Sequence, residues 1–404
     1  VKRGASPRPI DDQKYFDDEG EYGWVRIEDV TKSNGILLET KQKLSKIGQE
    51  LSAKVNPGDL FISIAGSVGK PIIAGIKCCI HDGFVYFGNP KFNKKYLYYI
   101  FIEGSIYKGL GKMGTQLNLN TETIGSMSIP FPELSTQERI ASFLDSKTSI
   151  IDHAIEQKRK LINLLKEKRT TIINRAVTRG LDENVELVDS GVEWIGKVPR
   201  GWSVTRLKYV GNKPMQYGAN EAVTEFEINS DQPRFIRITD INEDGDLRKD
   251  TFVSLPEDVA KDYILHEGDM LLARSGATVG KTFKYKNEWG RCCFAGYLIR
   301  LSVDHKKADV DFIDYIFKSV YYSSWVSSIF IQATIQNVSA EKYKEFIVFL
   351  PSLQEQKRII TRLNQVTGNI NSAISLVQRS IALLSEYRTS LISHVVTGKV
   401  EVTS

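Results

Sequence analysis

The residues most suggestive of chemistry stand at Gly276-Ala-Thr-Val-Gly280-Lys281-Thr282, a run resembling a phosphate-binding loop. Such a loop needs four residues between its glycines, so that successive N–H groups curl round the phosphates, and it opens a helix. Here three residues separate the glycines, and the following Phe-Lys-Tyr-Lys-Asn-Glu-Trp reads as a strand. A related run, Gly66-Ser-Val-Gly69-Lys70-Pro71, has only two. Both are expected to be glycine-bearing turns between strands. The histidines (His81, His153, His266, His305, His394) are scattered and suggest no metal cluster. Cys78-Cys79 and Cys292-Cys293 are adjacent pairs without C-x-x-C spacing, which suits small buried strand residues in a reducing cytoplasm. No Ser or Cys stands in a nucleophile elbow, and no glycine-rich cofactor signature is present. Catalysis, a bound metal and a resident cofactor are therefore not expected.

What must position these turns is a repeat. Pro132 to Gly180 aligns without a gap on Pro351 to Lys399, 219 residues further on, with 19 of 49 positions identical. Pro132/Pro351, Gln137/Gln356, Arg139/Arg358, Leu164/Leu383, Leu165/Leu384 and Arg169/Arg388 are among the matches. Repeats of this size constrain the whole architecture. Apolar residues recur at alternating threes and fours: Ile140, Leu144, Ile151, Ile155, Ile162, Leu165, Ile172 and Ala176 in the first copy. Ile359, Leu363, Ile370, Ile374, Val377, Ile381, Leu384, Leu391 and Val395 follow in the second. That spacing puts a narrow apolar seam on one side of a long helix. Ser135 with Glu138, and Ser352 with Glu355, fit capping boxes at the helix starts. A helix of about 40 residues is roughly 60 Å long, and a partner must bury its seam.

The rest of the chain is duplicated as well. Trp24-Val-Arg-Ile-Glu-Asp-Val30 matches Phe235-Ile-Arg-Ile-Thr-Asp-Ile241, and Pro57–Lys70 matches Glu267–Lys281. Four segments result: a globular domain over 1–131, a long helix over 132–182, a second globular domain over 183–350, and a helix with its tail over 351–404. Short β-branched runs such as Leu60–Ile64, Ile72–Ile76 and Met270–Ala273 predict strands, and Lys94–Glu103 and Asp309–Ser319 predict helices. Each globular half is thus a mixed α/β domain. The second is entered through Asp189-Ser-Gly-Val-Glu-Trp194 and Pro199-Arg-Gly-Trp202-Ser-Val-Thr-Arg-Leu207; the sequence contains no counterpart of that entry ahead of the first. No run of 18 apolar residues suggests a membrane span, and the opening VKRGASPRP does not read as a signal peptide. Net charge is only +5, yet residues 135–180 carry ten Lys and Arg against five Asp and Glu. A basic helix permits nucleic-acid binding without diagnosing it.

The order domain–helix–domain–helix, the phrase P-x-L-x-x-Q-x-R-I opening each helix, and the closing YRTSLISHVVTGK resemble the specificity subunit of type I restriction–modification systems. The entry DSGVEWIGKVPRGWSVTRLKYV and the Gly-Asp strand with its glycine turn add to the resemblance. It implies an α+β fold: two similar mixed α/β target-recognition domains, separated by two long helices that pair as an antiparallel coiled coil about a pseudo-two-fold axis. Each domain would read one half of an asymmetric bipartite double-stranded DNA target. The partners implied are two adenine-methyltransferase subunits and motor–nuclease restriction subunits. S-adenosylmethionine, ATP and Mg would reside on those partners, not on this chain.

Arg, Lys, Asn and Gln read base edges, while Lys, Ser and backbone N–H groups hold phosphates. On that basis the candidates in the first domain are Lys41, Lys43, Lys46, Lys70, Lys112, Gln116 and Asn118. In the second they are Arg274, Ser275, Lys281, Lys284, Gln336 and Asn337. Each is equally compatible with a solvated turn residue. A coiled-coil scaffold with protein-binding globular ends stays open as an alternative, and salt dependence separates the two.

Overall fold

The computed structural model describes residues 1–88, 90–110, 119–192, 196–221, 231–242, 245–248, 250–275, 278–331 and 337–402. The chain forms two compact units, Val1–Arg159 with Gln378–Ser404, and Lys160–Val377. Two long helices, Leu134–Arg179 and Leu353–Val396, each contribute a part to both.

In the first unit a five-stranded sheet runs in the order Lys2–Arg3, Phe84–Tyr86, Leu60–Ser63, Pro71–Ala74, Ile36–Leu37. A four-stranded sheet runs Gln42–Leu44, Tyr22–Val25, Cys78–Ile80, Ala53–Val55. The sharp turn closing Leu60–Ser63 onto Pro71–Ala74 needs Gly69 at φ 84°, whose N–H donates to Ser63 O at 2.8 Å. Helix Lys94–Glu103 starts at Asn93, whose side chain accepts from Lys95 and Tyr96 N–H, and stops at Gly104 in the left-handed region. Its buried face, Tyr96, Tyr99 and Ile100, joins Ile140, Ala141 and Leu144 of the first long helix and Ile392, Val395 and Val396 of the second. Those sets, with the Asp152–Arg388 ion pair, make the two helix segments in this unit antiparallel.

The second unit repeats the plan. Gln216–Tyr217, Leu298–Ser302, Asp269–Ala273 and Thr282–Lys284 form an antiparallel sheet. Arg234–Ile236 pairs in parallel with Cys292–Phe294, in the same register as Tyr22–Val25 with Cys78–Ile80: Phe235 faces Cys293 as Trp24 faces Cys79. Ser203–Arg206 pairs with Ile347–Leu350. Helix Val310–Phe317 packs in one core with Ile173, Ala176 and Val177 of the first long helix and Ile359, Ile360 and Leu363 of the second. All four cysteines are buried strand residues, and burial pushes their thiols up to about 12.

Two sequence expectations need correction. The first long helix starts one residue ahead of Ser135, with Thr136 and Gln137 N–H donating to Glu133 O, so Ser135 caps nothing. At the second helix Ser352 Oγ does accept Glu355 N–H at 3.2 Å, but the Glu355 carboxylate takes the Trp202 indole N–H instead of closing the box. The seam also shifts: Ile173 and Val177 are the buried residues near the end of the first helix, and Ile172 and Leu165 are only half-buried. A straight helix drifts about 20° per heptad against a 3.5-residue repeat, which moves the buried stripe by a position over several turns.

Candidate nucleic-acid interface

The glycine turns fold as strand-to-strand connections. Leu272 faces Thr282 and Met270 faces Lys284 across the second of them, and Gly280, at φ 79°, donates to Ala273 O at 3.0 Å. Gly276 and Ala277 lie outside the described residues. Thr282–Lys284, which follows the loop, is a strand and not the helix whose N-terminus a nucleotide-binding loop presents to phosphate.

The candidate side chains fall into four sorts. Lys41, Lys43 and Lys46 are exposed along Gln42–Leu44 and the start of helix Lys46–Glu50, and among the described residues none is ion-paired. They form a basic strip able to face a phosphate backbone. Lys281 is likewise exposed. Others are engaged within the protein: Lys70 Nζ donates to Val30 O at 2.5 Å and Ser33 O at 3.2 Å, holding the end of helix Ile27–Lys32. Its burial holds the ammonium pKa below the usual lysine value. Lys284 is ion-paired with Asp311. Lys112, Gln116, Asn118 and Gln336 lie outside the described residues.

Arg274, Ser275 and Asn337 are brought together. Ser275 bridges Asn337, and Val338 N–H donates to Arg274 O at 2.8 Å. The Arg274 guanidinium lies 4.7 Å from the centre of the Tyr217 ring, a cation–π contact. Tyr217 is held in turn by Ala340 N–H, which donates to its hydroxyl at 2.9 Å. Arg274 Nε and Asn337 Oδ1 are buried without a partner among the described residues. Exposed Tyr297 sits alongside, its carbonyl accepting Arg274 N–H at 3.0 Å. A stacked arginine beside an asparagine and two tyrosines can offer donors and acceptors to base edges. The sequence reading omitted Tyr217 and Tyr297; the tyrosines carry no signal of their own, since they reach Arg274 only through strand pairing.

Charged side chains of a polar cavity in the first unit pair with one another. A cavity of about 830 Å³ in the first unit is lined by Lys95, Asp145, Asp152 and Arg388 among others. Lys95 pairs with Asp145, and Arg388 with Asp152. Among the described residues no group of His, Cys, Asp or Glu is placed to hold a metal ion, and no helix there is long and apolar enough to cross a membrane.

The family model describing the type I restriction modification DNA specificity domain matches the chain twice, at residues 6–166 and 199–376. The chain belongs to that family. It is 25% identical over 358 residues to the type I restriction enzyme MjaVIII specificity subunit of Methanocaldococcus jannaschii, covering 86% of this chain and 80% of that one. Against the EcoBI specificity subunit of Escherichia coli the identity is 22% over 388 residues, covering 93% and 79%. Its fold is similar to a chain from a structure concerned with complex assembly and conformational transition of the type I R-M system. The TM-score is 0.74 at 14% identity, over 98% of this chain and 94% of that one. The HsdS subunit from Thermoanaerobacter tengcongensis gives a TM-score of 0.52 at 15% identity, with coverage of 98% and 94%.

Proposed function

We propose that this chain is the sequence-recognition subunit of a type I restriction–modification complex, each unit reading one half of a split DNA target. The observation that carries this is the double match to the specificity-domain family, one match centred on each globular half. The halves differ at their turns: Ile64 stands where Arg274 does, and Ser126 where Glu345 does. Different side chains on alike scaffolds read different bases, so the target is asymmetric. The long helices serve as the spacer. A 46-residue helix is about 69 Å long at about 1.5 Å per residue, ample for half-sites roughly 34–36 Å apart. Methylation and cleavage belong to docked partners, two adenine-methyltransferase subunits and motor–nuclease subunits, and the chain itself is non-catalytic.

The test is a gel-shift of the chain assembled with methyltransferase subunits, over a set of duplexes and salt concentrations. Preference for one bipartite sequence, with affinity falling steeply as salt rises, is the expected result. Equal binding to every duplex at every salt concentration overturns it. Lengthening both long helices by whole turns at equivalent positions should change the gap between half-sites and leave each half-site readable.

A further inference from the structure

The two globular halves share a backbone arrangement at the end of a central strand and carry different side chains on it. Ile64 N–H donates to Gly83 O at 2.8 Å in the first unit, and Arg274 N–H donates to Tyr297 O at 3.0 Å in the second. Ile64 and Arg274 are repeat counterparts, as are Gly83 and Tyr297. One scaffold thus presents an isoleucine beside a glycine. The other presents an arginine beside a tyrosine that is 65% exposed.

Each of the seven other arginines in 183–350 engages a carboxylate, an amide or a backbone carbonyl. Arg274 does not. Its Nε is buried without a partner, and among the described residues it forms no ion pair and donates no side-chain hydrogen bond. Packing holds it instead. Tyr217 pairs with Ile299 and Ile299 with Leu272, so Tyr217 lies on the sheet face of Leu272 and of Arg274, two residues along. The guanidinium lies 4.7 Å from the centre of that ring. The Tyr217 hydroxyl is fixed by Ala340 N–H at 2.9 Å, and the Arg274 backbone is fixed by Tyr297 O and Val338 N–H. The product is a planar fork of donors, restricted in rotation, with no acceptor among the described residues.

A fork held this way suits a planar pair of acceptors. A phosphate needs chiefly a positive charge, which an exposed lysine on a flexible stem such as Lys43 supplies. Guanine offers O6 and N7 in one plane at its major-groove edge, matching the guanidinium bidentately, whereas adenine places a donor where O6 would be. Resting on the DNA-recognition function proposed above, we infer that Arg274 reads a guanine in the half-site of the second unit. Tyr217 is the positioning residue that presents it. The first unit, with Ile64 in this place, makes no such contact.

The test uses the full chain assembled with methyltransferase subunits, on a duplex carrying the target found by methylation mapping. Each guanine is replaced in turn by 7-deazaguanine, which pairs normally and lacks only the N7 acceptor. One guanine should lose at least about fivefold in affinity on this replacement. Arg274→Ala should erase that sensitivity at this guanine alone and leave the salt slope unchanged. Tyr217→Leu, which keeps the arginine, should erase it too, and serves if the first variant misfolds; Tyr217→Phe keeps the ring and should retain it. Unchanged affinity for random-sequence duplex shows that the variants are folded. A uniform loss over all duplexes, with the salt slope lower by about one, makes Arg274 a phosphate contact and overturns the proposal. So does a 7-deazaguanine loss that is the same with and without Arg274, or a target in which no guanine depends on N7. In those cases the unaltered complex still prefers its target, so the recognition function stands; absence of any preference in that complex sinks both.

Discussion

The Gln137 side-chain carbonyl accepts the Asn93 N–H at 2.9 Å while its amide donates to Pro132 O at 2.8 Å. Gln356 repeats this with Asp309 N–H at 2.8 Å and Pro351 O at 2.9 Å. Both glutamines are essentially fully buried, at 1% and 0% exposure. Each therefore ties the start of a long helix to the N-cap of a domain helix. Tyr99 and Tyr315 add a second tie, their hydroxyls donating to Asp145 at 2.8 Å and Asn364 at 2.7 Å. Replacing Gln356 by Leu leaves Asp309 N–H and Pro351 O unpaired in the interior, and is expected to cost about 2–4 kcal/mol. Urea denaturation measures this; a loss below about 0.5 kcal/mol would contradict the role.

Arg388 binds Asp152 through two bonds, at 2.9 and 3.2 Å, and its repeat counterpart Arg169 binds Asn371 at 2.6 Å. Position 152 and position 371 are themselves counterparts. Asp152→Asn would convert the first arrangement into the second and should cost less than about 1 kcal/mol, because the pair is partly exposed and screened. Arg388→Ala loses both bonds and the packing of its stem, and a larger loss of about 1–2 kcal/mol is expected in the same denaturation assay.

The four thiols should be silent in the native chain. Burial raises each to about 12, so near pH 8 there is almost no thiolate to attack a disulfide reagent. Thiol titration should detect none until guanidinium unfolds the chain. The same shift makes stability pH-dependent. Below the ordinary thiol pKa both states are protonated and the contribution is intact. Above it the unfolded state ionises first, so stability falls between about pH 9 and about pH 12. Constant stability across that window would refute the burial-driven shift.

In DNA binding, Arg274→Ala and Lys43→Ala should fail differently. Arg274 stacks on Tyr217 beside Asn337, and its loss is expected to relax preference in one half-site by about 1–3 kcal/mol. Lys43 is exposed on its strand, and its loss should weaken binding to all sequences alike and reduce the salt slope by about one. Methylation mapping and salt-dependent gel-shifts separate the two patterns.

Much of the architecture was legible because a 219-residue register keeps reporting the same environment twice. Helix Lys94–Glu103 was predicted with its observed bounds, as its Asn93 cap and terminal Gly104 are local signals. The helix starts were less legible. Ser135 satisfies the capping pattern, yet the Glu133 carbonyl receives the first N–H groups, and Gln137 turns inward to accept from Asn93 N–H. Lys70 looked like a free lysine at a turn, and only the fold brings the end of helix Ile27–Lys32 against it.

By itself the sequence determined the duplication, the long helices, the strand-borne cysteines and the family, because periodicity and recurring phrases are properties of the chain read in order. Tertiary structure decided which of those residues meet. Gln137 and Asn93 lie 44 residues apart and Arg388 and Asp152 lie 236 apart. Arg274 reaches Tyr217 only through the strand pairing that sets them side by side. Such contacts depend on how sheets and helices pack, and long-range packing is written into no local spacing.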